Sequence, residues 1–383
     1  MRISFVLPPV DMSGGIRVVS IYARALAGMG HEVCLVSPPR RRVSIGRKLK
    51  SWLAGKGWPS LPSQLSHLDG LGLDHRVLDR YRPVKDADVP DADVVIATWW
   101  ETAEWVDALS DSKGAKVHFI QHHEVFDYLP AARCRAVYRL PFHKVVIARW
   151  IADVMRDEYG DGKAELVPNS VDHALFHASP RGRQTCPTVG FLCHDAPFKG
   201  MDVALAALGK LRTNHPGLRA VCFGSKAELR AQLPLWVEFT CAPKQGDIRK
   251  LYASCDAWLT ASRSEGFNLP AMEAMACRTP VVSTRTGWPA ESVRNGWNGM
   301  LADIDDVDGL VRGVEAILAM TDEAWRDLSA HAFQTVASSS WETSARLFEA
   351  ALVNACRRAG RDEIAGSCNG VPEQTSQAIL QSA

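Results

Sequence analysis

The 383-residue chain carries almost no net charge, with 44 Lys and Arg balanced by 43 Asp and Glu. A charge of +1 gives no global attraction to nucleic acid, so a nucleic-acid partner is not expected. Its ten cysteines are scattered and form no Cys-x-x-Cys pair. That pattern indicates neither a zinc site nor a disulfide framework, and it fits a reducing cytoplasm. No apolar run is long enough to span a membrane. A signal peptide is not expected, because the short apolar run after Arg2 ends at Pro8 and Pro9. No internal repeat is found. One absence is local: between Val33 and Leu68 there is no Asp or Glu.

The composition is that of a soluble globular protein, 46% hydrophobic and 23% charged, and the length suits about two domains. Several apolar segments read as buried strands: Arg2 to Leu7, His31 to Ser37, Val94 to Thr98, Lys116 to Gln121, Lys144 to Ala148, Thr188 to Leu192 and Ala220 to Gly224. Helical periodicity follows the first of them, over Ile16 to Gly30, giving a β-α-β unit with Gly14 and Gly15 at its turn. That turn is not a Gly-x-Gly-x-x-Gly, so no dinucleotide fingerprint is present.

One stretch organises the rest: Ser264 to Pro280, between apparent strands at Cys255–Ala261 and Val281–Thr284. It reads as a loop and helix, one crossover of a parallel sheet. Gly266 permits close backbone approach, Asn268 suits the N-cap and Pro270 the first helical turn. Free N–H groups at that helix start favour phosphate. Glu265 on the loop and Glu273 about one turn into the helix place two carboxylates beside it. Each carboxylate suits a sugar diol, so the arrangement fits a nucleotide sugar.

Glu265 and Glu273, enclosing Gly-Phe-Asn-Leu-Pro, resemble the E-x7-E signature of the family 4 retaining glycosyltransferases, the "glycosyl transferases group 1". The resemblance implies a GT-B fold: two Rossmann-like domains facing each other across a cleft, with a C-terminal helix crossing back to the first. It implies transfer of a sugar from a UDP- or GDP-linked donor to a hydroxyl acceptor, with retention and with neither metal nor other cofactor. No Asp-x-Asp ligand motif stands in a suitable context. By the resemblance Glu265 holds the donor sugar, Glu273 the ribose, and the loop residues Gly266, Phe267, Asn268 and Leu269 the diphosphate. Lys199 matches a phosphate-neutralising lysine. The family's arginine after the preceding strand glycine is missing, because Phe191 follows Gly190, and His194 is a partial substitute. Gly14 and Gly15 match a glycine-rich loop at the donor phosphate. His122 and Glu124, in Gln-His-His-Glu, loosely match residues near the anomeric centre.

The implied division is 1–180 for an acceptor domain, 187–340 for a donor domain, 341–358 for the crossing helix and 359–383 for a disordered tail, with 180–187 as linker. Residues 40–58 combine Arg40, Arg41, Arg42, Arg47, Lys48, Lys50 and Lys56 with Trp52 and Trp58. Such a segment suits an anionic membrane surface. The expected acceptor is a saccharide or a lipid-linked acceptor of surface polysaccharide or glycolipid synthesis, and the expected location is cytoplasmic, peripheral on the membrane's inner face. Three other readings stay open: a non-catalytic nucleotide-sugar-binding subunit, a GT-B epimerase or phosphorylase, and a polyanion-binding protein.

Overall fold

A computed structural model describes residues 1–40 and 65–361. Its contacts divide into two compact units. The first comprises Met1–Val146, Ala152–Val167 and Ala345–Ala383, and the second Ile147–Ile151 and Pro168–Ser344.

The first unit is a seven-stranded, wholly parallel sheet. Its strands are β1 (Arg2–Val6), β2 (Glu32–Ser37), β3 (Asp74–Val77), β4 (Val94–Ala97), β5 (Ala115–Ile120), β6 (His143–Val146) and β7 (Glu165–Leu166), in the spatial order β3-β2-β1-β4-β5-β6-β7. The central strands β4 and β5 are buried along nearly their whole length, as two covered faces require, and β4 is an unbroken apolar run. Helix α1 (Gly14–Gly28) follows β1, α2 (Trp100–Asp107) follows β4, α3 (Ala131–Val137) follows β5 and α4 (Arg149–Tyr159), whose residues up to Ile151 count with the second unit, follows β6.

The second unit is a six-stranded parallel sheet of β8 (Thr188–Leu192), β9 (Arg219–Gly224), β10 (Val237–Cys241), β11 (Ala257–Thr260), β12 (Val281–Thr284) and β13 (Gly299–Ala302), in the order β10-β9-β8-β11-β12-β13. Helices α5 (Met201–Asn214), α6 (Gln245–Ala253), α7 (Leu269–Ala276), α8 (Gly287–Ser292), α9 (Val307–Leu318) and α10 (Asp322–Val336) cover it. In both sheets the order reverses once, between β1 and β4 and between β8 and β11. In an open parallel sheet, ligands bind beyond the carboxyl ends of the strands at such a reversal. The β8–β11 pair is also tightly made. A Cβ on Gly190 would lie 2.5 Å from the Trp258 ring and 2.6 Å from the Cys255 sulfur, so only glycine lets the buried indole sit there.

Three features depart from the sequence reading. The expected linker at 180–187 lies inside the second unit. Arg181 donates to the Cys255 carbonyl at 2.5 Å and lies over the Trp325 ring. The Asp256 carboxylate accepts from the N–H groups of Gln184 (2.7 Å) and Thr188 (2.8 Å). Polar composition suggested a loose connection, yet these residues are held by buried partners. Strands β3 and β7, short and largely polar, were not evident in the sequence. Helix α11 (Trp341–Arg358) begins in the second unit's residues and from Ala345 onward counts with the first. There Phe348 packs on Tyr22 (4.6 Å) and Phe119 (4.9 Å), and Glu349 meets His31 at 2.7 Å. The basic segment 40–58, apart from Arg40, and the tail beyond 361 lie outside the described residues. No described helix is long and apolar enough to cross a membrane.

Candidate active site

The carboxyl ends of β8 and β11 carry the residues that the central motif singled out. After β11 the chain runs Ala261 to Asn268 before α7 begins. The turn is tied back to the sheet by Thr284, whose hydroxyl donates to the Ser262 carbonyl at 2.6 Å. Ser262 Oγ in turn donates to Glu265 Oε1 at 2.7 Å. Glu265 is only 7% exposed, and both of its oxygens lie 2.8 Å from Lys199 Nζ.

Lys199 arrives on the loop after β8, in a short 3-10 turn, Pro197–Lys199. Further contacts hold that loop against the β11 turn. The Arg263 N–H donates to the Phe198 carbonyl at 2.7 Å. Gly200, at φ 62, lies so close to the Ala261 carbonyl that no side chain would fit. Together, Leu192, Lys199, Ser262, Glu265, Asn268 and Pro270 line a small hollow.

Asn268 caps α7 as its sequence position predicted, and its backbone is left-handed, φ 81. A non-glycine residue adopts that conformation at a cost, and such outliers gather at functional sites. Here the side chain offsets part of the cost by donating to Thr260 Oγ1 at 3.0 Å. Phe267 is buried and stacks on Trp288, centroids 5.9 Å apart, while Leu269 is buried as the first helical residue. Glu273 is 3% exposed and accepts from the Tyr252 hydroxyl at 2.9 Å. Tyr252 is a site residue that the sequence reading missed. Its signal was an aromatic at a core-facing position of the otherwise polar α6.

Because β8 ends at Leu192, Phe191 lies inside the strand with its side chain in the core, and the loop begins at Cys193 and His194. His194 therefore stands at the loop start, where the arginine was sought at 191. Its Nδ1 accepts from the Ala196 N–H at 2.9 Å, which puts the ring proton on Nε2. Burial, then the nearby Lys199 ammonium, lowers its pKa below the usual histidine value. His194 at neutral pH is an uncharged donor, not a cation.

Residues 184–320 match the family described as "Glycosyl transferases group 1". A D-inositol 3-phosphate glycosyltransferase of Mycobacterium marinum is 32% identical over 228 residues, 53% of this chain and 47% of that one. The match thus spans about half of that relative's length. A phosphatidyl-myo-inositol mannosyltransferase of Mycolicibacterium smegmatis is 28% identical over 96% of this chain and 99% of its own. The chain is thus similar to the group 1 glycosyl transferases over residues 184–320 and, at lower identity, over nearly its whole length. Solved structures of low identity share the fold. A sucrose-phosphate synthase from Thermosynechococcus elongatus superposes with TM-score 0.69 at 18% identity, covering 91% of this chain and 97% of its own. Anabaena HepE, solved with UDP and glucose, gives 0.69 at 16%, covering 92% and 100%. The fold is GT-B.

The remaining predicted residues lie in the first unit. Gly14 and Gly15 are the first two residues of α1, not a free loop, and the Gly15 carbonyl accepts from Gln121 Nε2 at 3.3 Å. His122 is half-buried. Its Nδ1 lies 3.0 Å from the His123 carbonyl, so Nδ1 carries a proton. Glu124 is held on both sides. It is 4% exposed, its Oε2 accepts from the Trp100 N–H at 2.8 Å, and its own N–H donates to the Tyr138 hydroxyl oxygen at 2.7 Å. Burial raises its pKa well above the usual carboxyl range. Glu124 is an enclosed carboxyl at the start of α2, and burial favours its protonated form.

Proposed function

We propose that this protein transfers a sugar, with retention and without a metal ion, from a nucleoside diphosphate sugar to a hydroxyl acceptor. The single observation that carries the reading is the Lys199–Glu265 pair at the β8–β11 reversal, beside the α7 N-terminus. It joins a cation for a diphosphate to a carboxylate for sugar hydroxyls, on loops that only glycine at 200 lets meet.

In this reading Glu265 binds the donor sugar and Glu273, steadied by Tyr252, binds the ribose. Lys199, the His194 Nε2–H and the N–H groups of Phe267 and Asn268 stabilise the diphosphate as it leaves. Fixed donors aimed at developing charge are the largest source of catalysis available to a site without metal. The departing diphosphate, on the face the acceptor attacks, takes the acceptor's proton. HepE was solved with UDP, which favours a uridine donor here. The relatives' names carry inositol acceptors, which favours a polyol or its lipid-linked form. A cytoplasmic location, peripheral on the membrane through residues 40–58, completes the proposal; binding to anionic vesicles tests it.

The test is calorimetric titration with UDP and GDP in the presence of a chelator, repeated on Glu273→Ala, followed by a panel of nucleotide sugars. One nucleotide should bind, about 10-fold or more weaker in the variant, as loss of a charged hydrogen bond implies. Turnover should survive chelation. Donor binding without transfer or hydrolysis would instead favour a non-catalytic subunit, the reading that the uncharged His194 in place of arginine keeps open.

A further inference from the structure

The loop that meets the diphosphate does not hold itself. Its Asn268 sits in a left-handed conformation unfavourable to a side chain. Two carbonyls of this loop are pinned from outside. Trp150, among the residues Ile147–Ile151 of the second unit, donates its indole Nε1–H to the Gly266 carbonyl at 2.8 Å. The Trp288 N–H donates to the Phe267 carbonyl at 2.8 Å. Helix α8 serves both pins. Its Glu291 accepts from the Trp150 backbone N–H at 2.8 Å. Its Gly287, at φ 57, leaves room for the loop, where a Cβ would lie 2.7 Å from the Phe267 oxygen and 2.8 Å from the Glu265 Cβ.

In a trans peptide the carbonyl of one residue and the N–H of the next point opposite ways. Pinning the Gly266 oxygen therefore turns the Phe267 N–H away from Trp150, and pinning the Phe267 oxygen turns the Asn268 N–H away from α8. We infer that Trp150 is a positioning residue. Through its indole N–H, and anchored by Glu291, it holds the Gly266–Phe267 peptide so that the Phe267 N–H faces the departing diphosphate. Without it that peptide is free to rotate and turn an oxygen toward the anion. The inference rests on the donor site proposed above.

The experiment compares wild type, Trp150→Phe, Glu291→Ala and the double variant on the nucleotide sugar that wild type uses. Phenylalanine keeps the ring and deletes the N–H. Each single variant should lower kcat about 10- to 100-fold, the range in which loss of one oxyanion donor falls. Donor KM should stay within about 3-fold and the melting temperature close to wild type. The double variant should be no slower than the worse single variant, because both act through one peptide. An unchanged kcat in Trp150→Phe overturns the inference. So do losses that multiply in the double variant, or a kcat loss that follows a fall in melting temperature. A wild type that binds no nucleotide and turns over no donor overturns the donor-site reading itself, and the inference with it.

Discussion

Glu265 holds Lys199 with both oxygens and takes a third hydrogen bond from Ser262. A buried carboxylate held this firmly is placed for one geometry of sugar hydroxyls. Replacing it with glutamine leaves one acceptor oxygen and removes the charge that engages the lysine. Glu265→Gln should lower kcat by about 100-fold or more. It should leave nucleoside diphosphate affinity equal or slightly higher, since Lys199 is released toward the phosphates. Titration calorimetry beside steady-state kinetics separates the two, and a parallel loss would remove Glu265 from the sugar. Tyr252 is the complementary case. Its ring packs among Phe223 and Trp258, and only its hydroxyl meets Glu273. Tyr252→Phe keeps the ring packing and leaves a buried carboxylate without that donor, costing about 1–3 kcal/mol. Part of the cost should be read in thermal stability and part in nucleotide affinity; no change in either would separate Tyr252 from the site.

At the scale of elements, α2 shows how a helix start uses a buried carboxyl. The Glu124 oxygen accepts from Trp100, the helix's first residue, so a buried carboxyl fills the role that an N-cap side chain usually plays. Its folded pKa is raised by burial, so its contribution to stability is complete below the unfolded carboxyl value and is lost as pH rises toward the folded one. Glu124→Gln keeps an acceptor and never ionises. The variant should match wild type near pH 4.5 and become relatively more stable at higher pH, by up to about 1.4 kcal/mol per pH unit within that window. Melting temperatures of the pair across pH 4.5 to 8 measure this; a constant difference would show that Glu124 is charged in the fold. The same scale shows what the sequence could carry. The strand-loop-helix-strand unit around Glu265 and Glu273 was legible because strand hydrophobicity, Asn268 and Pro270 all mark one boundary. The GT-B fold was legible through that unit. Trp150 was not, because its partner Gly266 is 116 residues away in the chain. Neither was the order at 180–187, where Arg181 and Gln184 find buried partners that composition cannot reveal. Glu124 was singled out by a loose motif, and its bond to the α2 start lay outside what that motif could show.

For the molecule as a whole, the chain returns at its end to complete the unit with which it began. Phe348 of α11 is fully buried against Phe5, Tyr22 and Phe119, residues of β1, α1 and β5. The first unit's core is therefore closed by a side chain that arrives only after the second unit has been synthesised. The proposed nucleotide subsite, by contrast, is built from second-unit residues alone: Lys199, Tyr252, Glu265, Asn268 and Glu273. Truncating a buried phenylalanine removes its transfer free energy and leaves a cavity, about 3–5 kcal/mol together. Phe348→Ala should thus destabilise the first unit by that amount. It should leave nucleoside diphosphate affinity within about twofold at temperatures where the variant is folded. Thermal unfolding with limited proteolysis, mapping the first cuts, and calorimetric titration at low temperature test the two halves of the statement. First cuts within residues 168–344 would contradict the assignment of Phe348 to the first unit's core. A large loss of nucleotide affinity would show that the donor subsite depends on that core, contrary to a site made wholly within the second unit.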